Sequence, residues 1–139
     1  MTTSCRRAVL AAFLASPSIA FSADAVRWSF DGATAEGWSP AHRLSSFTVT
    51  GGLLQTTITG SDPYMIGPVV RFDSAAYPYV ELRLRSAGSG GGEVFFSSSQ
   101  SPGIIAGNSV PFVLEGTGAF ERIHVYMPGN PRWPCRPRA

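Results

Sequence analysis

Residues Thr48 to Tyr64 read TVTGGLLQTTITGSDPY, and the reading of this stretch settles the fold class. Gly51-Gly52 is a turn signal, after which Leu54, Thr56 and Ile58 alternate with Gln55, Thr57 and Thr59. A period of two puts the first set on a buried face and the second, with its hydroxyls, on an exposed one, so a strand is expected here. Gly60-Ser61-Asp62-Pro63 then forms a second turn and leads to Tyr64, because such residues favour turns over strand interiors.

The same pattern extends in both directions. Upstream, Val26, Trp28 and Phe30 alternate with Arg27 and Ser29, which predicts a first strand over Val26 to Asp31. Asp31-Gly32 and Gly37-Trp38-Ser39-Pro40 follow, and a strand is expected from Leu44 to Thr50. Downstream, Val69 to Phe72 reads as a short strand, and Asp73 to Tyr77 as a single helical turn stopped by Pro78. The strongest alternation is Tyr79 to Arg85, where Val80, Leu82 and Leu84 face a core and Glu81, Arg83 and Arg85 face solvent. Ala87 to Gly92 reads as a flexible loop; it opens no helix, so it is not a dinucleotide fingerprint. Val94 to Ser99 puts Phe95 and Phe96 on opposite faces, and Ile104 to Glu115 and Phe120 to Met127 are the last strands expected. In the last of them Ile123, Val125 and Met127 alternate with Arg122, His124 and Tyr126. No window carries a helical apolar stripe of useful length. The expected class is all-β, an antiparallel two-sheet β-sandwich.

The first 23 residues have a different character. Arg6 and Arg7 precede the apolar run Ala8 to Ala15, and Ser16-Pro17 and small residues follow, the order of a secretory signal peptide over 1–23. Eight apolar residues fall well short of the roughly 20 that span a bilayer. The expected location is therefore secreted or periplasmic, with cleavage after Ala20, Ser22, Ala23 or Ala25. Cys5 precedes the apolar run rather than following it, which argues against a lipoprotein.

Removing this segment takes Arg6 and Arg7 from the 11 basic residues and none of the 9 acidic ones, which leaves no net charge. There is no lysine, and Arg132, Arg136 and Arg138 sit in the last eight residues. No clustered basic stretch marks a nucleic-acid groove. The remaining length of about 115 residues suits one domain, expected over 24–128, with a Pro/Arg-rich irregular tail over 129–139. After processing only Cys135 remains, so neither an internal disulfide nor a cysteine metal site is expected.

Catalytic motifs are missing. The chain has no G-x-S-x-G elbow and no H-E-x-x-H, and His42 and His124 stand far apart in sequence. Nine acids allow a glycosidase-like carboxylate pair, but so short a domain leaves little chain to wall a deep cleft. The chain is read as non-enzymatic.

Over nearly all of this length the chain resembles the galactose-binding-like β-sandwich (jelly-roll) domains of secreted bacterial carbohydrate-active and surface proteins. The residues that carry the resemblance are Trp28-Ser29-Phe30-Asp31 with Glu36-Gly37-Trp38, and Gly51-Gly52-Leu53 with Thr59-Gly60-Ser61-Asp62-Pro63-Tyr64. Val80-Glu81-Leu82-Arg83-Leu84-Arg85 with Val94-Phe95-Phe96 extend it. The resemblance implies two antiparallel sheets, carbohydrate recognition by aromatic and polar side chains, often a structural calcium ion, and no catalytic residue. The chain departs from the pattern at its end, where Pro131-Arg132-Trp133 runs into Pro134-Cys135-Arg136-Pro137-Arg138-Ala139 instead of a closing strand. Three prolines in nine residues cannot serve a central strand, because each lacks a ladder N–H. A truncated or frame-shifted end and an ordinary tail both fit this composition.

Two readings of the surface residues follow. In the first, Trp38, Tyr64 and Tyr126 stack on sugar rings while Asp62, Arg83 and Arg85 bond hydroxyls, because a sugar has an apolar C–H face and a polar rim. In the second, the aromatics are buried and the domain serves structure or interaction in the cell envelope, or is a fragment without independent function. Glu81 and Arg83 also read as a solvated, self-compensating row. Asp31 and Asp62 are hard oxygen donors on loops, candidates either for calcium, with main-chain carbonyls completing the shell, or for turn formation.

Overall fold

A computed structural model describes residues 25–134. The expected signal peptide over 1–23 and the end of the tail, with Cys135, Arg136 and Arg138, lie outside the described residues. Among the described residues there are eight strands: β1 (Ser39–His42), β2 (Thr48–Thr50), β3 (Leu53–Gln55), β4 (Tyr64–Ile66), β5 (Tyr79–Arg85), β6 (Gly90–Phe95), β7 (Ser109–Leu114) and β8 (Phe120–Tyr126). They pair antiparallel as four two-stranded sheets, β1 with β4, β2 with β3, β5 with β8 and β6 with β7. The only helical element among the described residues is a 3-10 turn at Met127–Gly129. The chain is all-β and divides into two compact units, residues 25–72 and residues 73–134.

In the first unit the Gly51-Gly52 turn forms as expected. Thr50 pairs with Leu53 across it, and both glycines are left-handed, with φ of 58° and 72°. A two-residue hairpin with positive φ at both centres matches the right-handed twist of its strands, and glycine adopts it at least cost. The alternation beyond it holds only through Thr57. Ile58 is 64% exposed rather than buried, and only a single bridge to Leu44 carries the pairing that far.

The strand expected over Val26 to Asp31 does not form. Glu36 takes the backbone instead: its carboxylate accepts from the N–H of Phe30 at 2.8 Å and of Ser29 at 3.1 Å, and Phe30 bends the chain with φ 58°. N–H groups bonded to a side chain are lost to a ladder. The strand expected over Leu44 to Thr50 shortens to β2, because Ser45 bonds Thr56 and Thr57 through its side chain. Val69 to Phe72 is also irregular, with Val69 92% exposed. Conversely, β1 forms over Ser39–His42, where no strand was expected, and it pairs with β4 across a bulge between Pro40 and His42.

The second unit follows its pattern more closely. Asp73 opens the expected single turn, its carboxylate accepting from Ala75 N–H and its carbonyl from Ala76 and Tyr77. β5 has the expected bounds and pairs with β8 over seven rungs, from Tyr79 with Tyr126 to Arg85 with Phe120. β6 begins earlier than expected, inside the Gly90–Gly92 run, because the Phe112 ring on β7 lies where a side chain at Gly92 would stand. β7 begins later than expected, at Ser109; Ile104 and Ile105 lie on an exposed loop. The inner faces of both ribbons share one apolar cluster: Val80, Leu82, Ile123 and Val125 from one, Val94, Val110 and Phe112 from the other, with Phe96, Met127 and Trp133. Phe95 points outward, as its parity requires.

Trp133 lies beyond the boundary expected at 128. Asn130 holds this segment in place by donating to the carbonyls of Gly107 and Ser109, and Trp133 Nε1 donates to Ser74. The segment through Pro134 therefore packs with the unit although it forms no strand.

Candidate ligand-binding face

Alternation places one set of side chains of β5 and β8 in the core and leaves the other as a continuous outer face. Tyr79, Glu81, Arg83 and Arg85 of β5 stand beside Tyr126, His124, Arg122 and Phe120 of β8, each opposite its partner in that order. Seven rungs give the strip a length of about 20 Å at strand spacing.

The strip has three parts. At one end Tyr79 and Tyr126, 59% and 44% exposed, meet with ring centroids 5.1 Å apart and planes tilted by 46°. At the centre the Glu81 carboxylate accepts from the Arg122 guanidinium and from His124 Nε2, the latter at 2.9 Å. Glu81 thus compensates residues across the ladder as well as belonging to the charged row of its own strand. At the other end Arg83 and Arg85 both lie over the Phe120 ring, at 4.3 and 5.1 Å from its centroid. A ring face attracts cations through its quadrupole and keeps both guanidiniums close to the sheet.

The structure thus brings Arg83, Arg85 and Tyr126 to one face. Tyr79, Phe120 and Arg122 join them without having been singled out from sequence. Tyr79 was legible by its shared parity with Arg83; Phe120 and Arg122 needed the β5–β8 register.

The other expected residues belong to the first unit. Tyr64, on β4, is 49% exposed and stacks on His42 with centroids 5.5 Å apart and planes at 29°. His42 Nδ1 donates to the Asp62 carbonyl at 2.9 Å, tying the turn to β1. Trp38 is half-buried: Gly67 lies against its indole, and Trp28 meets it edge to face at 5.2 Å. Ser45, Ser46, Thr48, Gln55, Thr56 and Thr57 line an open depression beside β2 and β3; Gln55 and Thr57 come from the face expected to be exposed, Thr56 from the one expected to be buried, and Thr59 is not among them.

Side chains alone do not fit a calcium ion. Among the described residues no group of three or more His, Cys, Asp or Glu converges. Asp31 Oδ1 lies beside the Gly52 turn, and the Asp62 carbonyl is occupied by His42. Six to eight oxygens would have to come almost wholly from main chain. Asp62 itself adopts φ 56°, a conformation that Asp tolerates in turns.

Glu121 is set apart electrostatically. Its carboxylate accepts from Glu115 N–H at 2.8 Å and Gly116 N–H at 2.9 Å, and these bonds hold its pKa below the ordinary carboxylate value. It braces the turn into β8 and is not on the outer face.

Among the described residues no helix is long and apolar enough to cross a membrane. Compared with known proteins, the chain matches no family model, no curated protein sequence and no solved structure.

Proposed function

We propose that this chain is an exported, non-catalytic carbohydrate-binding module, a galactose-binding-like jelly-roll sandwich that acts outside the cytoplasm in the secreted or periplasmic space. The observation that carries this reading is the exposed Tyr79–Tyr126 pair standing on the same strip as Arg83, Arg85, Glu81 and His124. The apolar C–H face of a pyranose stacks on aromatic rings, and its hydroxyls bond to charged groups at the rim. An exposed strip about 20 Å long suits an extended poly- or oligosaccharide, which binds along a surface and needs no deep cleft. Tyr64 on His42 provides a second exposed aromatic surface in the first unit.

A glycan array probed with the exported chain tests the reading. Binding to at least one glycan is expected, with loss of binding in Tyr126→Ala and no release of reducing sugar. Retained binding in both Tyr79→Ala and Tyr126→Ala would remove the strip as the site. Mass spectrometry of the exported product is expected to show an N-terminus between Phe21 and Val26; an intact Met1 would refute export by cleavage.

A further inference from the structure

We infer that the outer face of β5 and β8 takes an acidic polysaccharide, one whose carboxylates or sulfate esters recur along the chain; the inference rests on the carbohydrate-binding reading above. The strip carries three guanidiniums against one carboxylate, although the chain without its first 23 residues has no net charge. That carboxylate, Glu81, already accepts from Arg122 and His124.

The arrangement is costly for a surface that serves stability alone. Arg83 stands directly opposite Arg122 in the ladder, and like charges at paired positions repel. Arg83 and Arg85 share one face of β5 two residues apart, about 7 Å along the strand. Phe120 holds both of them without neutralising either. An oxyanion offsets the repulsion, and a guanidinium presents paired N–H donors that match a carboxylate or sulfate bidentately. A neutral glycan offers hydroxyls, which accept from a guanidinium but do not offset the repulsion between the clustered charges. The tyrosine pair at the far end stacks a sugar ring, so the strip reads rings at one end and anionic groups at the other.

Affinity electrophoresis of the full chain tests this, using polygalacturonate against its methyl ester and dextran sulfate against dextran. Each pair keeps a backbone and removes its charge. Binding at least about tenfold tighter to an acidic member is expected, weakening as salt rises from 0.05 to about 0.5 M as the charges are screened. The Arg83→Gln/Arg85→Gln variant should lose on the order of a hundredfold, from loss of two charge-assisted contacts. Arg71→Gln, on an exposed loop of the other unit, should bind unchanged. Melting curves establish that each variant is folded.

Equal binding to acidic and neutral members would overturn the acidic specificity and leave the carbohydrate reading standing. Tight acidic binding that survives the double variant would place the site elsewhere. Competition by duplex DNA as effective as by the acidic glycan would make the face a general polyanion surface. Binding to no glycan on either this panel or the array would overturn both readings.

Discussion

The indole of Trp133 meets the ring of Phe96 edge to face, with centroids 5.0 Å apart and planes at 84°. Both are buried in the core of the second unit, and edge-on packing of this kind adds about 0.5–1.5 kcal/mol beyond the area buried. Trp133→Ala is expected to destabilise by about 3–5 kcal/mol in denaturant unfolding. A chain ending at 128 should unfold at still lower denaturant. Wild-type stability in that shortened chain would show that the segment only lies on the surface.

Met127 ends the alternation begun at Ile123 and is only 1% exposed. Met127→Ala should cost about 2–5 kcal/mol, as deletion of other buried side chains does. Arg83→Ala, on the opposite face, should change stability by less than about 0.5 kcal/mol. The reverse ranking would mean that the two faces of the β5–β8 ribbon are assigned the wrong way round.

Asn108 is fully buried and joins the 101–107 loop to β6. Its side chain accepts from Ser101 Oγ at 2.8 Å and donates to the carbonyls of Ser101 and Gly103, while its own carbonyl accepts from Phe96 N–H. Asn108→Ala removes the side-chain bonds to Ser101 Oγ and to the carbonyls of Ser101 and Gly103 while keeping the main-chain bond from Phe96, at about 1–3 kcal/mol for each group left without a partner that water does not reach. Loss of at least about 2 kcal/mol and faster amide exchange over 97–107 are expected. Unchanged exchange would show that the loop is held by its backbone alone.

The lowered pKa of Glu121 sets a direction for acid sensitivity. A group whose folded pKa lies below its unfolded value contributes stability above the ordinary carboxylate value and loses that contribution as pH falls through the folded one. Between pH 5 and pH 3, or about that window, the wild-type melting temperature should fall more steeply than that of Glu121→Gln. Parallel curves would remove Glu121 from the acid response.

For Asp62 the expected role is that of a turn former. Melting temperature should stay constant across millimolar calcium, and Asp62→Asn, which tolerates the same left-handed backbone, should melt close to wild type. A calcium-dependent rise that Asp62→Asn abolishes would establish an ion there by binding linkage.

The alternations in Tyr79–Arg85 and Phe120–Tyr126 were legible from the sequence because a strand's two faces depend only on the parity of its own residues. All-β class, the Gly51-Gly52 hairpin turn, the single turn at Asp73 and the inward set Val80, Leu82, Ile123 and Val125 follow from that local rule and from turn chemistry. Local pattern failed where a side chain six or seven residues further along competed for the backbone, as Glu36 does at Ser29 and Phe30. It failed again where packing recruited a segment with no periodicity, as around Trp133. The outer face depended on tertiary structure in a further way: Phe120 lies beneath Arg83 and Arg85, and Tyr126 beside Tyr79, only because β5 pairs with β8 in one particular register. Register belongs to two strands jointly: a shift of one residue would turn one strand's apolar set to the outer face, and a shift of two would keep both faces but change every cross-strand neighbour.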